Sequence, residues 1–186
     1  PHRKNVLEDR REAFYHECVR RAGPRYSGFD QQSVEIVLNF LYTYDQLHQT
    51  VSRYMAEYGL SKSSLNILML LRHGSDEGMQ LHDLGELLLV SRANITGLMD
   101  HLEDKGYVKR TVDPHDRRAR HARITAKGEA LLDEFMPVHY RNLKTLLGGL
   151  SNEERQTIVE LLKKMRSSMS EYSEALAGRE PVSCED

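Results

Sequence analysis

Hydrophobic residues recur every three or four positions along much of this chain, which is the spacing of an amphipathic helix. The longest such stretch runs from Ser33 to Tyr58 and alternates between spacings of three and four. It predicts one long helix, with Ser33 as its N-cap and Gly59 as its stop. A second long pattern follows Ser151, which has the spacing of a capping box with Glu154, and predicts another helix with the same apolar seam.

Five shorter stretches show the same spacing and predict further helices. They lie at residues 7–21, 60–73, 81–88, 91–105 and 126–147. Gly23 and Pro24 are expected to end the first of these helices. Thr125 is expected to cap the last one and Pro137 to kink it. From the two helices at 81–88 and 91–105, the residues expected to face the core are Leu84, Leu87, Leu88, Ile95, Leu98, Met99 and Leu102.

Two short stretches have β-type composition instead. Residues 107–112 and 121–125 favour strands, and the Asp-Pro-His-Asp run from Asp113 to Asp116 has turn composition. They predict a two-stranded ribbon directly after a helix, turn and helix. The predicted fold class is mainly α with a small two-stranded β wing, in which a winged helix-turn-helix is combined with a helical dimerisation domain.

This pattern divides the chain into segments with different expected roles. Residues 1–32 form an N-terminal extension, 33–58 and 126–177 are dimerisation helices, 60–125 are the winged helix-turn-helix, and 178–186 are a disordered tail. An apolar seam without a partner in the middle domain is best buried against a second copy, so we expect a homodimer. A two-fold dimer would place two recognition helices about 34 Å apart, in successive major grooves.

Composition and charge sharpen this picture. The chain has 186 residues, of which 39% are hydrophobic and 29% charged. It contains no apolar run near the roughly 20 residues of a membrane span and no signal-peptide pattern, so we expect a cytoplasmic protein without membrane contact. The net charge is −2, yet the segment from Lys105 to Lys127 carries eight basic and two acidic residues, a net +6. This concentration favours a phosphate-binding surface over a merely solvated basic loop.

The candidate DNA contacts lie on the helix that starts at Ser91 and on the ribbon. Arg pairs with guanine and Asn with adenine, and the methyl group of Thr suits that of thymine. The candidates on the helix are Ser91, Arg92, Ala93, Asn94, Thr96, Gly97 and His101. Ser91 would hold a phosphate, and Gly97 would let the backbone approach DNA. An ordinary polar helix surface is the alternative.

The ribbon supplies the other candidates: Lys109, Arg110, Asp116, Arg117, Arg118, Arg120 and Arg123. The tip arginines are placed for the minor groove, and Asp116 would orient Arg118 or its neighbour through a bidentate pair. Lys109, Arg110 and Arg123 are expected to contact phosphates.

The run SRANITGLMDHLEDKGYVKRTVDPHDRRARHARITAKG closely resembles the MarR family of bacterial transcriptional regulators, and its second half, DPHDRRARHARITAKG, resembles the wing signature of that family. The resemblance covers roughly residues 34–169. It implies a homodimer with one winged helix-turn-helix per lobe, and usually repression that a small phenolic or aromatic acid relieves. It also places the tip Asp-Arg pair on Asp116 and Arg118, and the start of the recognition helix on Ser91 and Arg92.

An effector site, if present, is expected between the dimerisation helices and the DNA-binding domain. The candidates are Tyr44, His48, Tyr54 and Asn66, although core packing with satisfied hydroxyls explains these residues nearly as well. A constitutive DNA-binding regulator without a ligand is one alternative. A redox sensor is another: peroxide-sensing members of the family carry a cysteine at the start of the first dimer helix, and residues 33–41 have none, which leaves Cys18.

Other chemistry has little support in the sequence. The nine histidines are scattered without metal-ligand spacing, and Cys18 and Cys184 lie near opposite ends. We therefore expect no metal and no cofactor. The chain has no nucleophile elbow, no phosphate-binding glycine loop and no convergent carboxylate pair, so we do not expect an enzyme.

Overall fold

The computed structural model describes residues 10–75, 77–88, 92–112 and 120–178, which form helices and one small antiparallel sheet. The helices are α1 (Arg10–Ala22), α2 (Gln31–Glu57), α3 (Lys62–His73), α4 (Leu81–Leu88), α5 (Arg92–Asp104), α6 (Ala126–Leu146) and α7 (Asn152–Ala177). The strands are β1 (Met79–Gln80), β2 (Val108–Val112) and β3 (Arg120–Ile124). The predicted fold class is confirmed.

The chain divides into two compact units between Leu132 and Asp133. The first unit contains α1 to α5, the sheet and the beginning of α6. The second contains the remainder of α6 and α7. The tail predicted to be disordered, residues 178–186, lies outside the described residues except for Gly178.

Helix α2 begins earlier than its apolar pattern suggested. Asp30 is its N-cap, and the Asp30 carboxylate accepts a hydrogen bond from the backbone amide of Ser33 at 2.9 Å. The hydrogen bonds from Ser33 lower the pKa of Asp30. The prediction that Ser33 caps the helix was wrong, because Ser33 supplies the amide that is capped.

Helix α2 ends as predicted, at Gly59. Gly59 has a φ of +65°, in the left-handed region that glycine tolerates best. The amide of Leu60 donates to the carbonyl of Met55 at 3.0 Å, and the amide of Gly59 donates to that of Ala56 at 2.9 Å. These two bonds form a Schellman motif, which satisfies the last carbonyl groups of the helix.

Side-chain caps also fix the start of two later helices, as predicted. Thr125 Oγ1 accepts a hydrogen bond from the amide of Gly128 at 3.2 Å at the start of α6. Ser151 and Glu154 form a reciprocal capping box at the start of α7, with bonds of 3.2 and 2.7 Å. Pro137 lies inside α6, which continues to Leu146.

The core of the first unit is formed mainly by α3, α4, α5 and the sheet. Its buried apolar side chains are Met55, Leu60, Leu65, Ile67, Leu68, Leu71, Leu84, Ile95, Met99, Leu102, Val108, Ala122 and Leu132. The inward positions predicted for α5 are confirmed at Ile95, Met99 and Leu102. The prediction for Leu87 was wrong, since this side chain is 60% exposed. In a helix of only two turns, Leu84 and the buried Gly85 occupy the core-facing side, and Leu87 lies off that narrow stripe.

The sheet has the strand order β1-β3-β2, so it has one strand more than predicted. Met79 pairs with Ala122 and Gln80 with His121. Strand β1 was not predicted because two residues are too few to show the alternation of apolar and polar residues that marks a strand. Its partner strand, β3, also lies far along the chain. Gly78 permits this pairing, because a Cβ at Gly78 would lie 2.4 Å from the carbonyl oxygen of Ala122.

Several large apolar side chains of the second unit are exposed: Tyr140, Leu146, Leu147, Ile158, Val159, Leu161, Met169, Tyr172 and Leu176. Phe135 on α6 is buried, and its ring stacks on His139 with 5.2 Å between centroids. Among the described residues, no helix combines the length and the apolar character that crossing a membrane requires.

Candidate nucleic-acid interface

Helix α5 has one buried face and one exposed face. Ile95, Met99 and Leu102 are buried in the core of the first unit. The predicted DNA contacts that the structure describes on the opposite face are Asn94, Thr96, Gly97 and His101, and all four are exposed. The core therefore holds α5 by one side, and the polar side is accessible to a partner.

Gly97 lies on this exposed face in the interior of the helix. Glycine there costs about 1 kcal/mol relative to alanine. A Cβ at Gly97 would meet no atom within 4 Å among its described surroundings. Packing against the described residues therefore does not require glycine at this position, which leaves close approach of a partner as a reason for it.

Arg110 on β2 connects the ribbon to α5. Its backbone amide donates to Glu103 Oε1 at 2.9 Å, and its Nε donates to Glu103 Oε2 at 2.7 Å. Its Nη2 also forms an ion pair with Asp100. Because Asp100 and Glu103 are three residues apart on α5, both carboxylates lie on one side of the helix and meet a single guanidinium.

The charges in this triad support one another. The hydrogen bonds from the Arg110 backbone and side chain lower the pKa of Glu103. The hydrogen bond to Asp100 raises the pKa of Arg110, whose side chain is only 17% exposed. From its charge, Arg110 was expected to contact a phosphate. In the structure its guanidinium instead pairs with the carboxylates of Asp100 and Glu103. Arg110 therefore holds the ribbon against α5.

Lys109 and Arg123 form the basic face of the ribbon. They are direct partners in the β2–β3 register, so their side chains share one face of the sheet. Lys109 is exposed. Arg123 is partly buried, and its Nε donates to the carbonyl oxygen of Glu77 at 2.7 Å. This bond holds the Nε side of the Arg123 guanidinium against Glu77, in the loop that precedes β1.

Seven further residues were predicted to contact DNA. Ser91, Asp116, Arg117 and Arg118 lie outside the described residues. Arg92 and Ala93 belong to α5 and Arg120 belongs to β3, and the side chains of these three residues lie outside the described part of the chain. Their assignment to DNA contact stays a prediction.

Two of the four effector candidates lie together on α2. The rings of Tyr44 and His48 stack with 5.7 Å between their centroids. Tyr44 is 47% exposed. Tyr54 lies further along the helix and is partly buried, which raises the pKa of its hydroxyl. The stacked pair thus offers an accessible aromatic surface with polar edges.

The fourth candidate, Asn66, lines a separate cleft between α3, β1 and α4. The cleft has a volume of about 430 Å³ and is lined by Asn66, Met69, Leu70, His73, Gly74, Met79, Leu87 and Leu88. This volume falls in the range typical of small-molecule sites. The described lining includes none of the three rings of α2, so the structure does not bring the four candidates together.

The two carboxylates that hold Arg110 were not predicted from the sequence. Neither Asp100 nor Glu103 was among the candidate residues of this helix. Their spacing of three on a helix that precedes a basic strand was the feature of the sequence that could have indicated them.

Within the described ranges, no group of three histidine, cysteine or acidic side chains is arranged to hold a metal ion.

Comparison with known proteins gives consistent matches. A family model described as "MarR family" matches residues 58–119. The uncharacterized HTH-type transcriptional regulator YkoM of Bacillus subtilis is 30% identical over 140 residues, which cover 73% of this chain and 90% of that protein. The HTH-type transcriptional repressor YetL of the same organism is 29% identical over 149 residues, which cover 80% of this chain and 89% of that protein.

Solved structures show the same fold. The Staphylococcus aureus MepR–DNA complex matches with a TM-score of 0.65 and 23% identity, covering 71% of this chain and 96% of that one. A mutant of Escherichia coli MarR complexed with operator DNA matches with a TM-score of 0.63 and 21% identity, covering 72% and 95%. The curated relatives are transcriptional regulators rather than enzymes, as predicted. With YkoM and the family model in agreement, the chain belongs to the MarR family of transcriptional regulators.

Proposed function

We propose that this chain is a homodimeric transcriptional repressor that binds a pseudo-palindromic operator. Helix α5 enters the major groove with its exposed face, and the ribbon formed by β2 and β3 contacts the adjacent minor groove and the phosphates. The observation that carries this proposal is the arrangement of α5. Its apolar face is buried, while Asn94, Thr96, Gly97 and His101 are exposed together on the other face.

The relatives support the DNA partner. The titles of the MepR and MarR structures name DNA and operator DNA as the bound molecules. YetL and the transcriptional repressor MprA of Escherichia coli are both named as repressors. The net charge of +6 between Lys105 and Lys127 matches a phosphate backbone, although the whole chain is slightly acidic.

An exposed apolar stripe on α2 supports the homodimer. The stripe consists of Ile36, Val37, Phe40, Leu41, Tyr44 and Leu47, whose side chains are 42–58% exposed. Six large apolar side chains on consecutive turns of one helix form a patch that a monomer rarely leaves in water. A second copy of α2 would cover it through the same residues, as a two-fold axis requires.

We further propose that a small aromatic acid or phenol releases the protein from DNA. The stacked Tyr44 and His48 and the cleft beside Asn66 are the two candidate sites. A thermal-shift series with aromatic carboxylates tests this, since a ligand at a hundred times its Kd adds about 2.7 kcal/mol of stability. If no compound shifts the melting temperature, the constitutive regulator is favoured. Cys18, which is exposed and free, keeps redox control as a further alternative.

Selection of bound duplexes from a random DNA library, at physiological salt, tests the DNA-binding proposal. We expect a two-fold symmetric site with half-sites about one helical turn apart. Binding should weaken steeply as salt rises, because each phosphate contact lowers the slope of log affinity against log salt by about 0.9. No enrichment, or affinity that salt does not change, would contradict the proposal.

A further inference from the structure

The carboxyl end of α5 is joined to two other helices by lysine side chains that are not among the individually predicted DNA contacts. Lys105, the residue after α5, donates from Nζ to the carbonyl oxygen of Gly59 at 2.9 Å. Lys127, in the first turn of α6, donates from Nζ to the carbonyl oxygen of Lys105 at 2.7 Å. These bonds link the end of α2, the end of α5 and the start of α6. We call Gly59, Lys105 and Lys127 the lysine clasp.

Each ammonium group of the clasp meets the carboxyl end of a helix. Helix α5 ends in a Schellman motif like that of α2, with Gly106 at a φ of +72° and the amide of Tyr107 bonded to the carbonyl of Leu102 at 2.9 Å. The carboxyl end of a helix carries a partial negative charge, which a cation stabilises. The clasp therefore combines charge with directed hydrogen bonds.

The α6 side of the clasp is held by further contacts. Lys127 Nζ lies 5.2 Å from the centroid of the Tyr107 ring, a cation–π distance. A Cβ at Gly128 would lie 2.3 Å from the carbonyl oxygen of Tyr107, so only glycine lets α6 start this close to the ribbon. Thr125 Oγ1 also donates to the carbonyl oxygen of Gly106 at 2.7 Å. The first turn of α6 is thus fixed against the end of α5.

We propose that the lysine clasp sets the angle of α5 relative to α2 and the first turn of α6, and thereby the half-site spacing that the dimer accepts. Lys105 and Lys127 are positioning residues in this scheme, since they act through α5 and touch no base. The inference rests on the proposed function, in which α2 forms the dimer interface and α5 contacts the bases.

Only a small movement of α5 is needed to change the half-site spacing that the dimer accepts, so the two hydrogen bonds of the clasp can affect it. Recognition helices about 34 Å apart each lie about 17 Å from the two-fold axis. One base pair more or less between the half-sites changes the separation by about 3.4 Å, so each of the two symmetry-related helices shifts by only about 1.7 Å.

Operators that differ only in spacing test the proposal. The two half-sites from the selection experiment are moved one base pair closer or further apart, and the affinity of each DNA is measured for four proteins. These are the wild type, Lys105→Met, Lys105→Arg and Lys62→Met. Methionine keeps the length of the side chain without its charge, and arginine keeps the donor. Lys62 is an exposed lysine in the first turn of α3 and serves as the charge-matched control.

The wild type and Lys62→Met should prefer the native spacing by about tenfold, the size of one mismatched base pair. Lys105→Met should bring that ratio close to one and leave the base preference within each half-site unchanged. Lys105→Arg should restore the ratio. An unchanged ratio in Lys105→Met, or an equal loss of affinity at every spacing, would overturn the inference, since the latter result indicates lost charge or lost stability.

A measurement without DNA separates this inference from the proposed function. Nitroxide labels are placed on α2 and α5 by Thr43→Cys and Thr96→Cys, with Cys18→Ser and Cys184→Ser, and labelled chains are diluted with unlabelled protein. We expect the distance distribution between the labels to broaden in Lys105→Met and to stay narrow in Lys62→Met. If the wild type binds no operator, the proposed function fails, and equal widths in the two variants would refute the clasp independently.

Discussion

Arg110 binds Glu103 twice, through its backbone amide at 2.9 Å and through its side-chain Nε at 2.7 Å. This pair joins the first strand of the ribbon to the helix whose exposed face carries the candidate base contacts. The ribbon and the helix are therefore positioned as one body rather than as two elements joined only by the turn between them.

Substitution of Arg110 by methionine should weaken this connection. Hydrogen bonds to charged groups contribute about 1.5–3 kcal/mol when buried, and the partial exposure of Asp100 and Glu103 reduces that to about 1–2 kcal/mol. We expect Arg110→Met to lower the free energy of unfolding by this amount, as measured by urea denaturation. Arg166→Met, at an exposed position of α7, should change it by less than about 0.5 kcal/mol. Equal effects of the two substitutions would contradict the assigned role.

The same pair predicts a dependence of stability on pH. The hydrogen bonds from Arg110 hold the pKa of Glu103 below its ordinary value of 4.5. A carboxylate with a lowered pKa contributes stability above its unfolded pKa and loses it as the pH falls through the folded pKa. We expect the free energy of unfolding to fall below pH 4.5 more steeply in the wild type than in Glu103→Gln. Parallel curves from urea denaturation across that range would show that Glu103 does not contribute.

Gly97 offers a test in which stability and binding change in opposite directions. Alanine is the better helix former by about 1 kcal/mol, and its Cβ would meet no neighbour within 4 Å. Gly97→Ala should therefore raise the melting temperature while it weakens DNA binding, because the new methyl group separates the backbone from the bases. Gly149→Ala, where a Cβ also meets nothing within 4 Å, is the matched control and should leave binding unchanged. Unchanged operator affinity in Gly97→Ala would remove the close-approach explanation for this glycine.

The apolar stripe of α2 predicts that a charge will disrupt the dimer. Leu41 is 49% exposed at the centre of the stripe. Leu41→Asp would bury a carboxylate at the two-fold interface, and we expect sedimentation to show monomers at concentrations where the wild type is dimeric. Leu87→Asp makes the same change at a 60% exposed position of α4 and should leave the dimer intact. A wild type that sediments as a monomer would refute the homodimer itself.

Much of the fold could be predicted because local patterns determine it. The spacing of apolar residues located the helices, and the stop at Gly59 and the capping box at Ser151 were evident from residue type alone. The start of α2 was misplaced because Asp30 and Ser33 are both good N-caps, and only the bond between them distinguishes the two. The apolar character of Leu87 gave no sign that it lies outside a narrow core stripe.

The site was less predictable, because its contacts join residues that are distant in sequence. Arg110 looked like a phosphate ligand by charge, and only the packing of β2 on α5 shows its two carboxylate partners. Strand β1 pairs with residues some forty positions away. Lys105 bonds to Gly59 across a similar separation. Residue type indicates what such side chains can bind, but the tertiary fold determines which partner they reach.

The most direct test of the central claim repeats the DNA selection with Asn94→Ala, an exposed position of α5, and with Asn152→Ala as control in α7. We expect Asn94→Ala to relax the base preference at one position in each half-site, with the two positions related by the two-fold axis. The cost should be about 1–3 kcal/mol per contact. Asn152→Ala should give the wild-type site. If Asn94→Ala selects the wild-type site with unchanged preference at every position, α5 does not contact the bases as proposed.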